Sequence, residues 1–203
     1  MVAVSTARQE KAQQTRLRIC AAARGLFLER GYDATTITEI ANRAGVAHQT
    51  VYFVFGSKSA VLAAILDIEI VGDAEPVPLL ERPPVRRLST AKTPAGRLQR
   101  VVSIAAGITE RLAPLYEIVR SGAADADVRD LLDRHEQQRW LSLRAMLAEL
   151  DSDLRVDVDE AADRLYALIS HDVYWLLVHR RVWPAQRWRR YVSSEAAGQL
   201  LGA

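Results

Sequence analysis

Two short amphipathic segments meet at Gly45, and this arrangement strongly limits the folds that the chain can adopt. The first segment, TITEIANRAG, carries Thr36 and Glu39 at the spacing of a capping box, in which two side chains satisfy free amides of a first helical turn. Its apolar residues recur every three or four positions, and glycine is common just beyond a helix end. The second segment, AHQTVYFVF, is polar at its start and apolar along one face. We therefore predict that one helix ends at Gly45 and that a second helix spans His48–Phe55.

Helical periodicity extends through most of the chain, and no convincing strand run interrupts it. The segment TRLRICAAARGLFLERG predicts a first helix that ends at Gly31, and Ser57 can cap a fourth helix. Four of the seven prolines fall in GDAEPVPLLERPPVRRLSTAKT, which predicts a loop or linker because proline lacks the amide donor that a helix needs. Beyond it, further helices are expected at Pro94–Leu112, Pro114–Gly122, Val128–Leu150, Glu160–Arg180 and Pro184–Leu201.

The predicted fold class is therefore all-α, with two domains of different size. Residues 1–70 are expected to form a small helical domain, residues 71–93 a proline-rich linker or loop, and residues 94–203 a larger helical domain. The single cysteine excludes an intramolecular disulfide and a CxxC metal site, which fits a reducing compartment. The N-terminus has no apolar signal-peptide core, and no apolar stretch is long enough for a membrane span. We therefore expect a cytoplasmic protein with no membrane partner.

Positive charge is concentrated in the first third of the chain. Residues 1–60 hold eight Lys or Arg and four Asp or Glu, a net charge of +4, whereas the rest of the chain has a net charge of −2. A basic end on a nearly neutral body indicates an anionic partner at that end. An ordinary solvated charged face would have a similar composition, so the charge supports nucleic-acid binding only together with the motif.

Two short helices joined by a glycine turn are the helix-turn-helix arrangement, with a motif at about residues 35–54. Residues 15–66 resemble the DNA-binding domain of the TetR family of transcriptional regulators. The resemblance rests on many positions at fixed spacing: Thr15, Arg16, Ile19, Ala22, Ala23, Phe27, Gly31 and Tyr32, then Thr36, Ile40, Ala41, Ala44, Gly45 and Val46, then Thr50, Val51, Tyr52, Phe55, Ser57 and Lys58. It implies contacts with double-stranded operator DNA from Thr36, His48, Gln49, Thr50, Tyr52, Phe53 and Lys58.

Three positions depart from the family pattern. Ala47 stands where the family often has a Ser or Thr cap, and losing such a cap costs about 0.5–2 kcal/mol. Val54 stands where His is frequent, which makes the inner face of that helix more apolar. Val182 replaces a glycine that is common before the tryptophan, so we expect a different turn near Trp183.

The C-terminal half bears a looser resemblance to some members of the family. The resemblance implies that the last two long helices form a homodimer, with candidate interface residues Leu176, Leu177, Val192, Ala196 and Leu200. It also implies an effector pocket among the earlier helices, and the aromatic and polar residues there suit a small hydrophobic or aromatic effector. The candidate effector-binding residues are Tyr116, His135, Arg139, Trp140, Tyr166, Asp172 and Trp175.

No sequence pattern supports an enzyme. The segment HEQQR, at His135–Arg139, nearly spells a zinc-protease motif, but Arg139 stands where the second histidine ligand would be. No cofactor or metal site is predicted. The preferred function is a repressor that a small molecule releases from a palindromic operator. An activator or effector-independent regulator of the same fold is the alternative, and a helical enzyme or an interaction protein without DNA binding is more remote.

Overall fold

The computed structural model of the chain describes residues 2–73, 75 and 77–202, and Ala74 and Pro76 of the predicted linker lie outside this part. Its regular elements are helical, and within the described residues the only β pairing is an isolated bridge between Leu154 and Leu201. The helices are α1 (Val2–Arg30), α2 (Ile37–Ala44), α3 (His48–Phe55), α4 (Lys58–Val71), α5 (Pro83–Arg86), α6 (Pro94–Ser121), α7 (Ala126–Ala148), α8 (Val158–Leu168), α9 (His171–Tyr174) and α10 (Ala185–Leu200). A π-helical segment, Trp175–Arg180, follows α9 directly.

The chain divides into two compact units. The N-terminal unit contains residues 1–69 and 114–132, and the C-terminal unit contains residues 70–113 and 133–203. We had expected residues 94–203 to form one domain, but the second part of α6 and the start of α7 group with the N-terminal unit instead. The predicted linker also contains regular structure, since α5 and two 3₁₀ turns lie within it.

Local signals explain the helices of the N-terminal unit. Helix α1 buries Ile19 and Phe27 on one face and ends at Gly31, whose φ of 84° is the left-handed conformation that glycine tolerates. Helix α2 begins with the predicted capping box: the Glu39 amide donates to Thr36 Oγ1 over 3.2 Å, and the Thr36 amide donates to Glu39 Oε2 over 2.9 Å. It ends at Gly45, which has a φ of 64°. Both predicted helix ends are confirmed.

Two predicted helix boundaries in the second half are wrong. Pro114 was expected to begin a new helix, but it lies inside the continuous helix α6, where its neighbours Ala113 and Leu115 are both buried. Burial on both sides of a proline outweighs its local penalty, because packing contributes more to helix stability than propensity does. The helix predicted at 160–180 breaks at Ile169, whose carbonyl accepts a hydrogen bond from Thr109 Oγ1 over 3.1 Å.

The core of the C-terminal unit includes one face of α10. Trp188, Val192, Ala196 and Leu200 recur at helical spacing and are almost completely buried within the same chain, where α10 packs against α8. Three of the candidate dimer-interface residues, Val192, Ala196 and Leu200, are therefore already buried within the protomer and have little exposed surface for a partner. Leu176, by contrast, is 53% exposed.

The turn before Trp183 is unusual, as Val182 led us to expect. Val182 has a φ of 54°, which β-branched residues rarely adopt, and its side chain is 80% exposed. The backbone of Val182 therefore adopts a left-handed conformation, and the exposed side chain makes little packing contact that could compensate for it.

In the described residues, no single helix is long and apolar enough to cross a membrane. Helices α3 and α4 reach that length and apolar character only when they are taken together, and the pair is bent by 66° at the break between the two helices.

Candidate nucleic-acid interface

One face of helix α3 is packed against the rest of its unit, and the opposite face is exposed. Val51 is almost fully buried, and Val54 and Phe55 are half-buried. His48 and Gln49 are exposed, Tyr52 is 48% exposed and Phe53 is 92% exposed. The predicted division of this helix into an inner apolar face and an outer face is confirmed, except that Thr50 is half-buried.

The exposed rings on α3 are arranged in two groups. The His48 ring contacts the Tyr52 ring edge-on, with 4.9 Å between ring centroids, so these two side chains form one aromatic pair. Phe53 follows Tyr52 in the sequence and lies about 100° further around the helix. Helix α3 is also seated by a contact that our sequence reasoning missed, because the Arg16 guanidinium of α1 lies 4.6 Å from the centroid of the Phe55 ring.

The N-terminus of α3 has no side-chain cap. Ala47 occupies the cap position and makes no side-chain hydrogen bond, as its sequence predicted. Thr36, another candidate DNA contact, uses its hydroxyl in the capping box of α2, where it also donates to Glu39 Oε2 over 2.9 Å. The structure thus gives Thr36 a capping role, and the position remains exposed.

Lys58 has partners that the sequence did not reveal. Its ammonium group donates to the carbonyl oxygens of Tyr32 and Thr35 over 2.8 and 3.0 Å, and lies 4.0 Å from the centroid of the Tyr32 ring. Burial lowers the pKa of Lys58, while the negative charges of Asp33 and Asp125 oppose that shift. Lys58 therefore joins α4 to the turn between α1 and α2, whereas the resemblance had implied a phosphate contact.

The charge of the N-terminal unit is distributed unevenly over α1. At its C-terminal end and on α2, acidic residues are paired: Glu29 binds Arg43 through both carboxylate oxygens, and Glu39 binds Arg30. Toward the N-terminus of α1, Arg8, Lys11 and Arg18 are exposed and have no acidic partner within 4 Å among the described residues. The exposed cations without an ion-pair partner thus lie on the part of α1 between Arg8 and Arg18.

The candidate effector residues are only partly brought together. Tyr116 lies in the N-terminal unit, whereas the other six lie in the C-terminal unit. In the C-terminal unit, Arg139 lies 3.8 Å from the centroid of the Tyr166 ring, and the Tyr166 hydroxyl donates to Glu136 Oε2 over 2.5 Å. The remaining candidates are placed as follows: His135 is half-buried, Trp140 donates to Asp163, Asp172 is exposed, and Trp175 is stacked by Arg180.

Glu136 and His171 complete a polar cluster that the sequence prediction did not include. Burial raises the pKa of Glu136, but Arg139 and the Tyr166 hydroxyl outweigh it and hold that pKa below its ordinary value. His171 is buried, and its Nδ1 lies 4.0 Å from Glu136 Oε1. Burial, together with the charge of Arg139, lowers the pKa of His171 to about 4. His171 is therefore neutral at physiological pH.

Neither metal binding nor thiol chemistry finds support in the geometry. In the part of the chain that the structure describes, no three His, Cys, Asp or Glu side chains are grouped so that they could hold a metal ion. Cys20 is buried, and that burial raises the pKa of its thiol to about 11. A thiol that is buried and protonated is a packing residue rather than a reactive one.

These features define a class of protein: a helix-turn-helix unit whose second helix presents an exposed polar and aromatic face. A family model for the tetR family of bacterial regulatory proteins matches residues 19–65. Residues 19–65, less than half of the chain, are therefore similar to the regulatory proteins of that family.

Individual relatives are similar to this chain over different lengths, in sequence over a short segment and in structure over most of the chain. The transcriptional regulator TtgR of Pseudomonas putida is 41% identical over 59 residues, which cover 29% of this chain and 28% of TtgR. The structure of NalD, the secondary repressor of the MexAB-OprM multidrug efflux pump in Pseudomonas aeruginosa, has a TM-score of 0.66 and 19% identity, covering 94% of this chain and 98% of NalD. FadR from Bacillus subtilis, solved with stearoyl-CoA, also has a TM-score of 0.66 and 19% identity, covering 89% and 96%. The structural likeness shows that the all-α fold is shared along nearly the whole chain.

Proposed function

We propose that the protein is a transcriptional regulator that binds double-stranded DNA through α3. The observation that carries this proposal is the exposed face of α3, on which His48, Gln49, Tyr52 and Phe53 project from a helix anchored by Val51. The major groove of B-DNA is about 12 Å wide and admits one α-helix. Gln can pair with adenine, and His can donate to guanine or to a phosphate. The exposed cations of α1 add an electrostatic attraction to the DNA phosphates that does not depend on base sequence.

The operator is proposed to be a palindrome that a homodimer reads. A two-fold dimer is the commonest form of soluble homo-oligomer, and it places two recognition helices in symmetry-related half-sites. The buried face of α10 supplies no contact area, so the interface must use exposed side chains such as Leu176 and Tyr191. Light scattering at micromolar concentration tests this step, and a monomeric mass would contradict it.

A small-molecule effector is proposed to bind the C-terminal unit and release the DNA. The support is the half-buried cluster of Glu136, Arg139 and Tyr166, since ligand sites combine apolar walls with a few fixed polar groups. A flat aromatic or lipid-like compound, uncharged or weakly acidic, suits such walls. To shift the DNA-competent form from 99% to 1%, the ligand must prefer the other form by about 10⁴-fold. Repression is the commoner mode in the family and is therefore proposed over activation.

A gel shift with DNA fragments flanking the protein's own gene tests the proposed function. Gln49→Ala should weaken the complex, while Leu28→Ala, which shortens an exposed side chain on α1, should leave binding unchanged. A thermal-shift screen for ligands follows, and each stabilising compound is then added to the gel shift. A compound that stabilises the protein without changing DNA affinity would contradict the effector step. If no DNA fragment binds, the protein belongs instead with the helical enzymes or interaction proteins.

A further inference from the structure

Phe53 is the most exposed large apolar side chain among the residues whose burial the structure describes, and its position on α3 requires an explanation. It is 92% exposed, although burying a phenylalanine side chain is worth about 1.5–3 kcal/mol. Nothing in the described part of the chain covers it. Its ring has no group that can donate or accept a hydrogen bond with a base edge.

The helix geometry directs Phe53 away from the core. Residues in a helix are about 100° apart, so Gln49 and Phe53, two residues on either side of Val51, each lie about 160° from that buried residue. The direction directly opposite Val51 therefore passes between Gln49 and Phe53. These two side chains are four residues apart and are neighbours on the helix surface. They therefore project from the side of α3 that is opposite the buried Val51.

We propose that Phe53 reads the C5-methyl group of a pyrimidine in the major groove, and that the protein consequently prefers 5-methylcytosine to cytosine at that position. The proposal rests on the proposed DNA-binding function. The thymine methyl is the one apolar group that the bases present in the major groove, and an aromatic side chain matches it by contact alone.

Gln49 supplies the complementary specificity. Its amide can pair with N6 and N7 of adenine, and adenine is the partner of thymine. Neighbouring side chains one helical turn apart reach the same base pair or adjacent ones, because successive base pairs rise by 3.4 Å. The two residues together favour an A·T pair at one position in each half-site. Cytosine would lose the methyl contact, and 5-methylcytosine would restore it.

The test uses a palindromic site obtained by selection from random duplexes, with binding measured by fluorescence anisotropy. Each thymine is replaced in turn by deoxyuridine, which removes only the methyl group. At one position in each half-site we expect about fourfold weaker binding, the value of one buried methylene. Cytosine at that position should bind weakly, and 5-methylcytosine should recover about fourfold.

Variants assign the effect to the side chain. Phe53→Ala should bind the thymine and deoxyuridine duplexes equally, whereas Phe53→Leu, which keeps an apolar contact, should retain part of the difference. Leu28→Ala, a matched loss of an exposed apolar side chain on α1, should retain all of it. Binding with no methyl-sensitive position, or sensitivity that persists in Phe53→Ala, would overturn this inference and leave the proposed function intact. Absence of any duplex binding would overturn both.

Discussion

Replacing Lys58 by methionine distinguishes two roles for this residue. The resemblance implies a phosphate contact, and the structure indicates a link between α4 and the turn before α2. Methionine keeps most of the apolar stem and removes the ammonium group. In the structure that group donates to the carbonyl oxygens of Tyr32 and Thr35 and lies over the Tyr32 ring. The substitution should therefore destabilise the N-terminal unit, because it removes the link between α4 and the turn before α2.

The size of the effect follows from those contacts. A hydrogen bond from a charged donor contributes about 1.5–3 kcal/mol, and a cation over an aromatic ring adds about 0.5–1 kcal/mol where it is exposed. Lys58 is only half-buried, so water competes with these contacts of its ammonium group. We therefore expect the free energy of unfolding to fall by about 2–3 kcal/mol, which is less than the sum of these contributions because the ammonium group is partly solvated.

Urea denaturation with two optical probes measures this loss. All four tryptophans, Trp140, Trp175, Trp183 and Trp188, lie in the C-terminal unit, so tryptophan fluorescence reports on that unit alone. Circular dichroism at 222 nm follows the helices of both units. Lys58→Met should lower the urea midpoint seen by circular dichroism while the fluorescence midpoint stays in place. Lys11→Met is the matched control, because Lys11 is an exposed lysine on α1.

The salt dependence of DNA binding supplies the result that would contradict this structural role of Lys58. A phosphate contact contributes about −0.9 to the slope of log affinity against log salt concentration. If Lys58→Met leaves both urea midpoints unchanged and flattens that slope by about one unit, Lys58 binds phosphate and our structural reasoning is wrong.

Three further outcomes follow from other residues. Val182→Gly should stabilise the C-terminal unit by about 0.5–1 kcal/mol in urea, because relief of the left-handed strain exceeds the added chain entropy, whereas Val182→Ala should gain little. The pKa of His171 is about 4 in the folded state and near 6.5 in the unfolded state, so the unfolded chain takes up the proton first as the pH falls. The contribution of His171 to stability is therefore complete above pH 6.5, and the free energy of unfolding should fall by about 3 kcal/mol as the pH drops toward 4. Urea denaturation at both pH values measures this loss, which should be absent in His171→Phe. Removing two of the exposed cations of α1 with Arg8→Ala and Lys11→Ala should flatten the salt slope of DNA binding by about two units without altering base preference. An unchanged slope would exclude this part of α1 from the interface.

The sequence alone determined those parts of the structure whose hydrogen bonds join residues close together in the chain. Thr36 and Glu39 are three residues apart, and Gly45 ends α2 through bonds to carbonyls three and four residues earlier. These signals placed α3 at His48–Phe55 without error, and with it the exposed face on which the proposed function depends. The all-α class followed in the same way, from periodicity within single helices.

Tertiary structure decided which surfaces and charges remain available, because those depend on partners far away in the sequence. Helical spacing on α10 is the same for a dimer interface and for a protomer core, and only packing against α8 shows that Val192 is already buried. Lys58 finds its carbonyl partners 23 and 26 residues earlier in the chain. His171 lies 35 residues from Glu136, the carboxylate beside it. Such contacts form when separate helices close around a core, so no local pattern of residues specifies them.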